Sequence, residues 1–161
     1  MGIKCNISSM IQFHDVMGKA AKIVSEEYLR ALAYLGEKSI VRIRDRSKEE
    51  SWIDHTGNLR SSIGYAIYQH GKKQIASTFE VVLNGKEGAK EGQKYVDRLA
   101  SQYAQTYALV VVAGMNYAEY VEAIEGKDVL ASTELWAKAK VSEYMSKAKE
   151  RAEKRINILL K

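Results

Sequence analysis

Long apolar runs and cysteine pairs are both missing from this chain. No stretch approaches the ~18 consecutive apolar residues of a membrane-spanning helix, and the longest apolar run, residues 108–114, has only the length of a strand. The single cysteine, Cys5, cannot form an internal disulfide, which suits a reducing compartment such as a cytoplasm. We therefore expect no membrane partner and a fold that does not depend on disulfides.

The residue patterns of metal and nucleotide sites are also absent. His14, His55 and His70 lie far apart in the sequence, and none has a His or Cys neighbour at the spacing of metal ligands. The glycines of residues 85–92 are not followed by the Lys-Ser or Lys-Thr of a phosphate-binding loop. We predict no metal and no cofactor.

One cluster invites a catalytic interpretation. Asp54 and His55 could form an acid/base pair, and a serine at 61–62 could act as a nucleophile. Adjacent Asp and His side chains point in different directions on most backbones, so they do not orient one another. A structural interpretation is better, in which Thr56 caps a short helical turn by accepting a backbone N–H two or three residues later. We predict that the chain is not an enzyme.

The length of 161 residues fits one domain, 1–161, and the 46% hydrophobic content is enough for a core. The formal net charge of +5 is concentrated in one place, because Lys138 to Lys161 contains eight Lys or Arg and three Glu. One interpretation is a solvated helix face that complements the helix dipole. The other is a positive surface that meets DNA phosphates or an acidic partner.

Hydrophobic spacing predicts an α+β fold. A small, mainly antiparallel sheet, made of a hairpin plus one or two further strands, would pack against two long helices and a shorter helix. The predicted elements are a long N-terminal helix over about 11–47, a hairpin over about 63–83, a flexible projecting loop over 84–92, a helix over 93–106, a strand over 107–114, a helical turn from Asn116 to Glu122, a short edge strand over 128–131 and a C-terminal helix over about 132–159. In the first helix, Phe13, Met17 and the apolar residues that follow at steps of three or four share one face.

Two short segments carry the most specific signal. Trp52–Ile63 reads Trp-Ile-Asp-His-Thr-Gly-Asn-Leu-Arg-Ser-Ser-Ile, which is typical of a loop, a helical turn and the start of a strand. Ala113–Glu122 reads Ala-Gly-Met-Asn-Tyr-Ala-Glu-Tyr-Val-Glu, which is typical of a strand end and a short helix. This pairing resembles the tail-component family of tailed bacteriophages. In that family a Thr-Gly-x-Leu-Arg-x-Ser segment precedes a hairpin, and a Gly-x-x-Tyr-Ala-x-Tyr-Val-Glu segment follows a later strand.

The resemblance implies a structural virion protein without catalytic activity. The implied role is a neck or tail-completion subunit in a ring at the head–tail junction, assembled in the host cytoplasm. The implied partners are further copies of the chain in a cyclic homo-oligomer, a hexamer by family resemblance, and other neck and tail proteins. The implied structural-motif residues are Trp52, Thr56, Gly57, Asn58, Leu59, Arg60, Gly114, Tyr117, Tyr120 and Glu122. The chain departs from the family in having no proline before the last helix.

Candidate interface residues follow from the pattern of aromatic and basic side chains. Tyr65 and Tyr68 fall on opposite faces of one predicted strand, so at least one ring should lie outside the core, where Tyr suits an interface. The other candidates for an interface or a DNA-facing surface are Lys86, Lys90, Lys147, Arg151 and Lys154. Passing genomic DNA is thus a further candidate partner. The alternative functions are a basic, non-specific DNA-binding module and, more weakly supported, a small cytoplasmic enzyme.

Overall fold

The computed structural model describes residues 7–46, 52–103, 105–124 and 127–160. The elements in chain order are α1 (Ile7–Arg44), α2 (Asn58–Ser61), β1 (Ile63–Gln69), β2 (Lys72–Ala76), α3 (Lys86–Leu99), a 3-10 turn (Ala100–Tyr103), β3 (Tyr107–Ala113), α4 (Ala118–Ile124) and α5 (Ala131–Leu159). The predicted α+β class is confirmed. α1 begins earlier than predicted and ends at Arg44, and residue 47, the predicted end, lies outside the described residues.

The sheet has the order β2-β1-β3, and both pairs of strands are antiparallel. β1 is central and almost wholly buried, and its register with β3 runs from Ile63 opposite Ala113 to Gln69 opposite Tyr107. A continuous apolar run such as that of β3 is typical of a strand covered on both faces. β3 is instead half-buried, because it forms an edge of the sheet.

The second strand of the hairpin is shorter than predicted and ends at Ala76 rather than near residue 83. Ser77 explains the end of the ladder. Its hydroxyl accepts the backbone N–H of Tyr65 at 2.9 Å, and its own N–H donates to the carbonyl of Tyr65 at 2.9 Å. A side chain thus takes over a hydrogen bond that the next backbone carbonyl would otherwise accept, and the chain leaves the sheet.

The predicted flexible loop over 84–92 is wrong, because α3 begins at Lys86. Three glycines occupy one face of this helix or the residue before it, at positions 85, 88 and 92. A Cβ at Gly88 would collide with the backbone of Asn58, and a Cβ at Gly92 would collide with the Phe79 ring. The glycines therefore permit close packing of α3 rather than flexibility.

The predicted edge strand over 128–131 is also wrong, since these residues form no strand and α5 begins at Ala131. The polar groups of this segment have other partners. The Asp128 carboxylate accepts the backbone N–H of Ser132 at 3.1 Å and lies 3.0 Å from the guanidinium of Arg46. Arg46 also donates to the Asp128 carbonyl, which is then engaged by a side chain instead of a neighbouring strand.

The chain divides into two compact units, and α1 and α5 each contribute to both. One unit comprises Met1–Ala31 with Ser142–Lys161, and the other comprises Leu32–Val141. The single domain 1–161 stays a prediction.

In the first unit, segments of α1 and α5 form an antiparallel helix pair. Arg151 reaches Glu27, and Arg155, one turn later in α5, reaches back to Glu26. Ala148 in α5 is buried, and its small side chain permits a close approach between helices.

The second unit contains the sheet and its two covered faces. On one face, Tyr65 packs against Gly36 of α1, where a Cβ would lie 2.7 Å from the ring. On the other face, Tyr68 packs in a cluster with Val96 of α3 and Val112 of β3. No helix among the described residues is both long and apolar enough to cross a membrane.

Candidate functional site

The turn that begins the first motif is organised by Asp54. One carboxylate oxygen accepts the N–H of Gly57 at 2.8 Å, and the other accepts the N–H of Arg60 at 2.9 Å. Thr56 contributes as predicted, because its hydroxyl accepts the N–H of Asn58 at 3.2 Å. Gly57 has φ of +80°, a conformation that glycine adopts without strain. The Asp54 carboxylate is thus committed to the backbone of α2.

The sequence pattern around Asp54 was interpreted only as a catalytic acid or base, and this capping role was missed. The signal was present, since an Asp a few residues before the first turn of a helix is a common acceptor for free N–H groups. The serines that could have served as nucleophiles are buried and bonded as well. Ser61 Oγ accepts the Val82 N–H at 2.8 Å, and Ser62 Oγ donates to the Leu59 carbonyl at 2.8 Å.

Arg60 joins the first motif to the end of α1. Its guanidinium donates to the carbonyl of Arg44, the last residue of α1, at 2.7 Å. The same guanidinium lies over the Trp52 ring, 5.0 Å from the ring centroid. One side chain therefore satisfies a free carbonyl at a helix end and covers an aromatic face.

The two motifs share one hydrophobic cluster. Trp52 and Leu59 of the first motif and Ala118 of the second are buried in it, together with Ile43 of α1 and Val129. The buried residues of the two motifs are therefore packed in the same core, although they are more than fifty positions apart in the sequence.

Backbone contacts around Gly114 strengthen this junction. The N–H of Gly114 donates to the carbonyl of Ser62 at 3.1 Å. A Cβ at Gly114 would collide with the backbone of Gly92 in α3. The glycine of the second motif is thus required by the close approach of β3 to α3.

Glu122 closes the second motif by capping α5. One carboxylate oxygen accepts the N–H of Leu130 at 3.1 Å and that of Ala131 at 2.7 Å. A negative charge at this end of a helix also complements its dipole.

The two tyrosines of the second motif lie nearer the surface. Tyr120 is exposed and Tyr117 is at the boundary between buried and exposed. Burial raises the pKa of Tyr117, and the negative charges of Asp54 and Glu87 raise it further.

The prediction that at least one of Tyr65 and Tyr68 lies outside the core is wrong, because both rings are buried. The sheet is covered on both faces, so opposite orientation does not bring either ring to the surface. The Tyr65 hydroxyl donates to Glu37 at 2.9 Å, and burial, then Glu37, raises its pKa. The Tyr68 hydroxyl donates to the Val96 carbonyl, and burial followed by the charge of Asp97 raises its pKa to about 12.

The basic candidates have different surroundings. Lys86 and Lys90 are exposed on α3, four residues apart. Lys147 and Lys154 are exposed on α5, and Lys147 donates to Glu143 at 2.6 Å, which raises its pKa. Arg151 lies 2.8 Å from the buried carboxylate of Glu27 and so has a structural partner.

Among the described residues, no group of three or more His, Cys, Asp or Glu could hold a metal ion. Two clefts open in the second unit. A polar cleft of about 560 Å³ lies between α3 and α4 and includes Glu87, Glu91 and Glu119. A second cleft of about 450 Å³, called here the β3 groove, runs along the edge strand and has a mainly apolar lining.

An exposed apolar face lies near the start of α1. Met10, Phe13 and Met17, called here the N-terminal apolar face, are 57%, 68% and 52% exposed. Large apolar side chains grouped in this way on a surface are typical of interaction sites.

The chain matches no protein-family model, no curated protein and no solved structure.

Proposed function

We propose that this chain is a structural virion protein of a tailed bacteriophage. In this proposal it is a neck or tail-completion subunit that forms a homo-oligomeric ring at the head–tail junction. Its partners are further copies of itself and the neck and tail proteins on either side. The proposal begins from the two segments that resemble the tail-component family.

The observation that carries the proposal is the joint packing of these segments. One hydrophobic cluster contains Trp52 and Leu59, which precede the strands in the sequence, and Ala118, which follows them. A pairing of two distant motifs is more specific than either alone, because both are needed to build the same junction. Polar side chains of both motifs also have structural roles. The carboxylates of Asp54 and Glu122 accept backbone N–H groups at the starts of α2 and α5. This supports a scaffold rather than a reaction site.

A ring subunit must also present surfaces to its neighbours. Repeated head-to-tail contacts close a ring when each subunit carries two different, complementary surfaces. In this proposal, exposed apolar surfaces such as the N-terminal apolar face and the β3 groove supply these contacts. Both are apolar, and their exposure in a single copy favours an assembled state.

The proposed location can be tested on purified particles of the phage that encodes the chain. We expect a labelled antibody fragment against the chain to mark the head–tail junction in electron micrographs. A matched fragment against a major capsid protein should mark the head and serves as the control. If the chain is missing from purified particles, the proposal is wrong.

The alternative of a non-specific DNA-binding module is favoured by one observation, the basic charge of α5. Several of these charges are already offset, since Lys138, Lys147 and Lys149 each form an ion pair with a Glu four residues away. Such pairing reduces the net field that phosphates would meet. A monomer that binds a DNA duplex tightly and in a salt-sensitive manner would favour this alternative over the ring subunit.

A further inference from the structure

β3 is an edge of the sheet, and its outer side carries backbone groups without partners. The N–H of Gly114 donates to the carbonyl of Ser62, so these two residues form a hydrogen-bonded pair. Such pairs alternate along an antiparallel ladder, and therefore the even-numbered residues of β3 bond to β1. The odd-numbered residues direct their N–H and carbonyl groups outward. Three of them have no backbone hydrogen-bond partner among the described residues, and these are Leu109, Val111 and Ala113.

The two edges of the sheet differ in their protection against pairing with a further strand. β2 has five residues, Lys72 and Lys73 on it are exposed, and its register with β1 is irregular. Short length, lysines and irregular register are the features by which edge strands avoid pairing. β3 has seven residues and contains no charge, proline or glycine. The outer edge of β3 is therefore the edge that suits an added strand.

The β3 groove gives this edge the shape of a strand-binding site. Neighbouring side chains of a strand point to opposite faces, so a groove lined by both Leu109 and Val110 passes along the edge itself. One face of α5 lines the same groove, through Thr133, Ala137 and Val141. This face is about 12 Å long, which matches roughly four residues of an extended strand. A segment bound in this way forms main-chain hydrogen bonds with the edge, and apolar walls hold its alternate side chains.

A segment with a strand pattern but no strand partner follows β2 and is called here the 78–82 segment. The alternation of apolar residues that begins in β2 continues through Phe79, Val81 and Leu83. The structure nevertheless places residues 78–82 in no helix, strand or turn. Val81 is 50% exposed and Leu83, the next residue of the pattern, is 70% exposed. The segment thus has the sequence of a strand and a free apolar surface.

The 78–82 segment is fixed to its own copy along one side. The N–H of Val82 donates to Ser61 Oγ at 2.8 Å, and the Glu80 carboxylate accepts a hydrogen bond from Arg44 at 3.0 Å. In an extended chain the N–H of Val81 points away from that side, and it has no partner in the part of the chain that the structure describes. A segment that is already held in place loses less entropy when it binds.

We propose that the 78–82 segment of one copy adds to the outer edge of β3 in the next copy as a fourth strand. The occupant is a second copy, because the segment follows β2, and β1 separates β2 from β3 within one sheet. The bond from Val82 to Ser61 keeps the segment on that side. The two surfaces differ, so the contact is head-to-tail and can close a ring. The inference rests on the proposed function, since it names the surfaces by which a ring subunit meets its neighbours.

Charge does not oppose this contact. Glu80 keeps its own partner, Arg44, and Glu134 and Lys138 at the groove pair with each other. Pairing of roughly four residues is a small contact, so one pair of copies should associate weakly. Each copy in a ring makes two such contacts, which strengthens the assembled state through avidity.

A synthetic peptide with the sequence of residues 77–83 tests the backbone pairing directly. The full chain is used at a concentration at which light scattering shows it to be monomeric. We expect the peptide to shift the NMR signals of the amides of Leu109, Val111 and Ala113. Methylation of the peptide nitrogen at Val81 keeps the side chain but removes the outward N–H, and should weaken binding about tenfold. Methylation at Val82 is the matched control and should leave binding nearly unchanged, because that N–H faces away from the pairing edge.

Two pairs of variants test the contact between full chains. Val81→Pro removes the outward N–H, and Thr78→Pro is its control, because the N–H of Thr78 lies on the same side as that of Val82 in an extended chain. Ala137→Arg fills the groove, and Ala139→Arg makes the same change at an exposed position of α5 outside the groove lining. Circular dichroism should show that all four variants are folded.

Light scattering over a range of concentrations then gives the masses. We expect the native chain and both controls to form oligomers, and Val81→Pro and Ala137→Arg each to be monomers at the same concentrations. A mixture of the two monomeric variants should form a species with the mass of two chains, because one intact segment and one intact groove remain in it.

Three results would overturn the proposed contact. The first is a native chain that neither associates with itself nor binds the peptide, and the second is a peptide that binds equally well after methylation at Val81. The third is a peptide that binds at β3 while the native chain stays monomeric at every concentration, which would indicate a strand of another protein as the occupant. The location of the chain in particles is measured independently, so a failure of this contact is distinguishable from a failure of the proposed function.

Discussion

The carboxylate of Glu27 accepts a hydrogen bond from Nε of Arg151 at 2.8 Å, and Glu27 is only 1% exposed. Arg155 donates to the same carboxylate at 2.9 Å. A buried carboxylate is tolerated because these two arginines from α5 replace the water that it loses. The hydrogen bonds from the two arginines to Glu27 therefore fix which residues of α1 and α5 face each other in the first unit.

Removing the charge of Glu27 should destabilise the protein. In Glu27→Gln the shape is nearly unchanged, but Arg151 and Arg155 lose their carboxylate. We expect a loss of about 2 kcal/mol in the free energy of unfolding, which is less than for a fully buried ion pair because both arginines are partly exposed. Denaturant unfolding followed by circular dichroism measures it. Glu153→Gln, which removes an exposed partner of Lys149, is the control and should have almost no effect.

The same carboxylate predicts a dependence of stability on acid. The hydrogen bond from Arg151 is the main cause that holds the pKa of Glu27 below its usual value of 4.5. A carboxyl group whose pKa is lower in the folded than in the unfolded state stabilises the fold at pH values above the unfolded-state pKa. This stabilisation is lost as the pH falls through the folded-state pKa. The native chain should thus lose more stability below about pH 4.5 than Glu27→Gln does. Equal acid sensitivity of the two proteins would contradict this assignment.

The hydrogen bonds at the start of α2 predict that Asp54 contributes more to stability than Thr56 does. The sequence alone did not indicate this order. Asp54→Ala leaves the N–H groups of Gly57 and Arg60 without their acceptor, so we expect a loss of about 2 kcal/mol. Thr56→Ala removes a single hydrogen bond at 3.2 Å to an exposed N–H and should cost about 1 kcal/mol or less. Denaturation midpoints of the two variants, compared in one experiment, decide the order. A larger loss for Thr56→Ala would show that Asp54 is not the main cap.

Two glycines in helices should respond to alanine in opposite ways. Gly18 lies inside α1 with no atom near its missing Cβ, so Gly18→Ala should stabilise the protein by about 1 kcal/mol. Gly88 lies in α3 against the backbone of Asn58, so Gly88→Ala should destabilise it by about 2 kcal/mol through overpacking. Thermal unfolding of both variants measures the contrast. If Gly88→Ala were neutral, the close packing of α3 on α2 would be wrong.

The glycines of α3 also show where sequence reasoning succeeds and fails. Long periodic segments such as α1 and α5, and the alternating strand β1, were predictable because each has a strong local pattern. The segment over 84–92 has three glycines and four charged residues, and its local pattern favours a loop. Its helical state depends on packing against α2, which no local pattern contains. Gly85, Gly88 and Gly92 are spaced by three and four residues. This helical spacing would have indicated that the glycines share one face of a helix.

The site was predictable to a similar extent. The two motifs were identified as structural, and the role of Thr56 followed from its place before a turn. The burial of both Tyr65 and Tyr68 could not be foreseen, because the sequence does not say that helices cover both faces of β1. The β3 groove likewise arises from three elements that are distant in sequence.

The last prediction separates a DNA-facing role of α5 from a role in assembly. Lys147 and Lys154 are exposed, so reversing both to Glu should leave the circular dichroism spectrum unchanged. The free energy of unfolding should fall by no more than about 1 kcal/mol, since the reversal replaces the exposed ion pair between Lys147 and Glu143 with a like-charge pair. If α5 faces a DNA passage, binding of the native chain to a duplex should be modest and should fall steeply between low and physiological salt.

The double reversal should then weaken DNA binding and reduce the salt dependence of that binding, as measured by fluorescence anisotropy. The same reversal at Lys86 and Lys90 tests the other candidate for a DNA-facing surface, on α3, separately. Modest binding is what a passage requires, because tight phosphate contacts would retain the genome during ejection. If the α5 reversal abolishes the oligomer but leaves DNA binding unchanged, α5 is a subunit interface and the DNA-facing role is wrong.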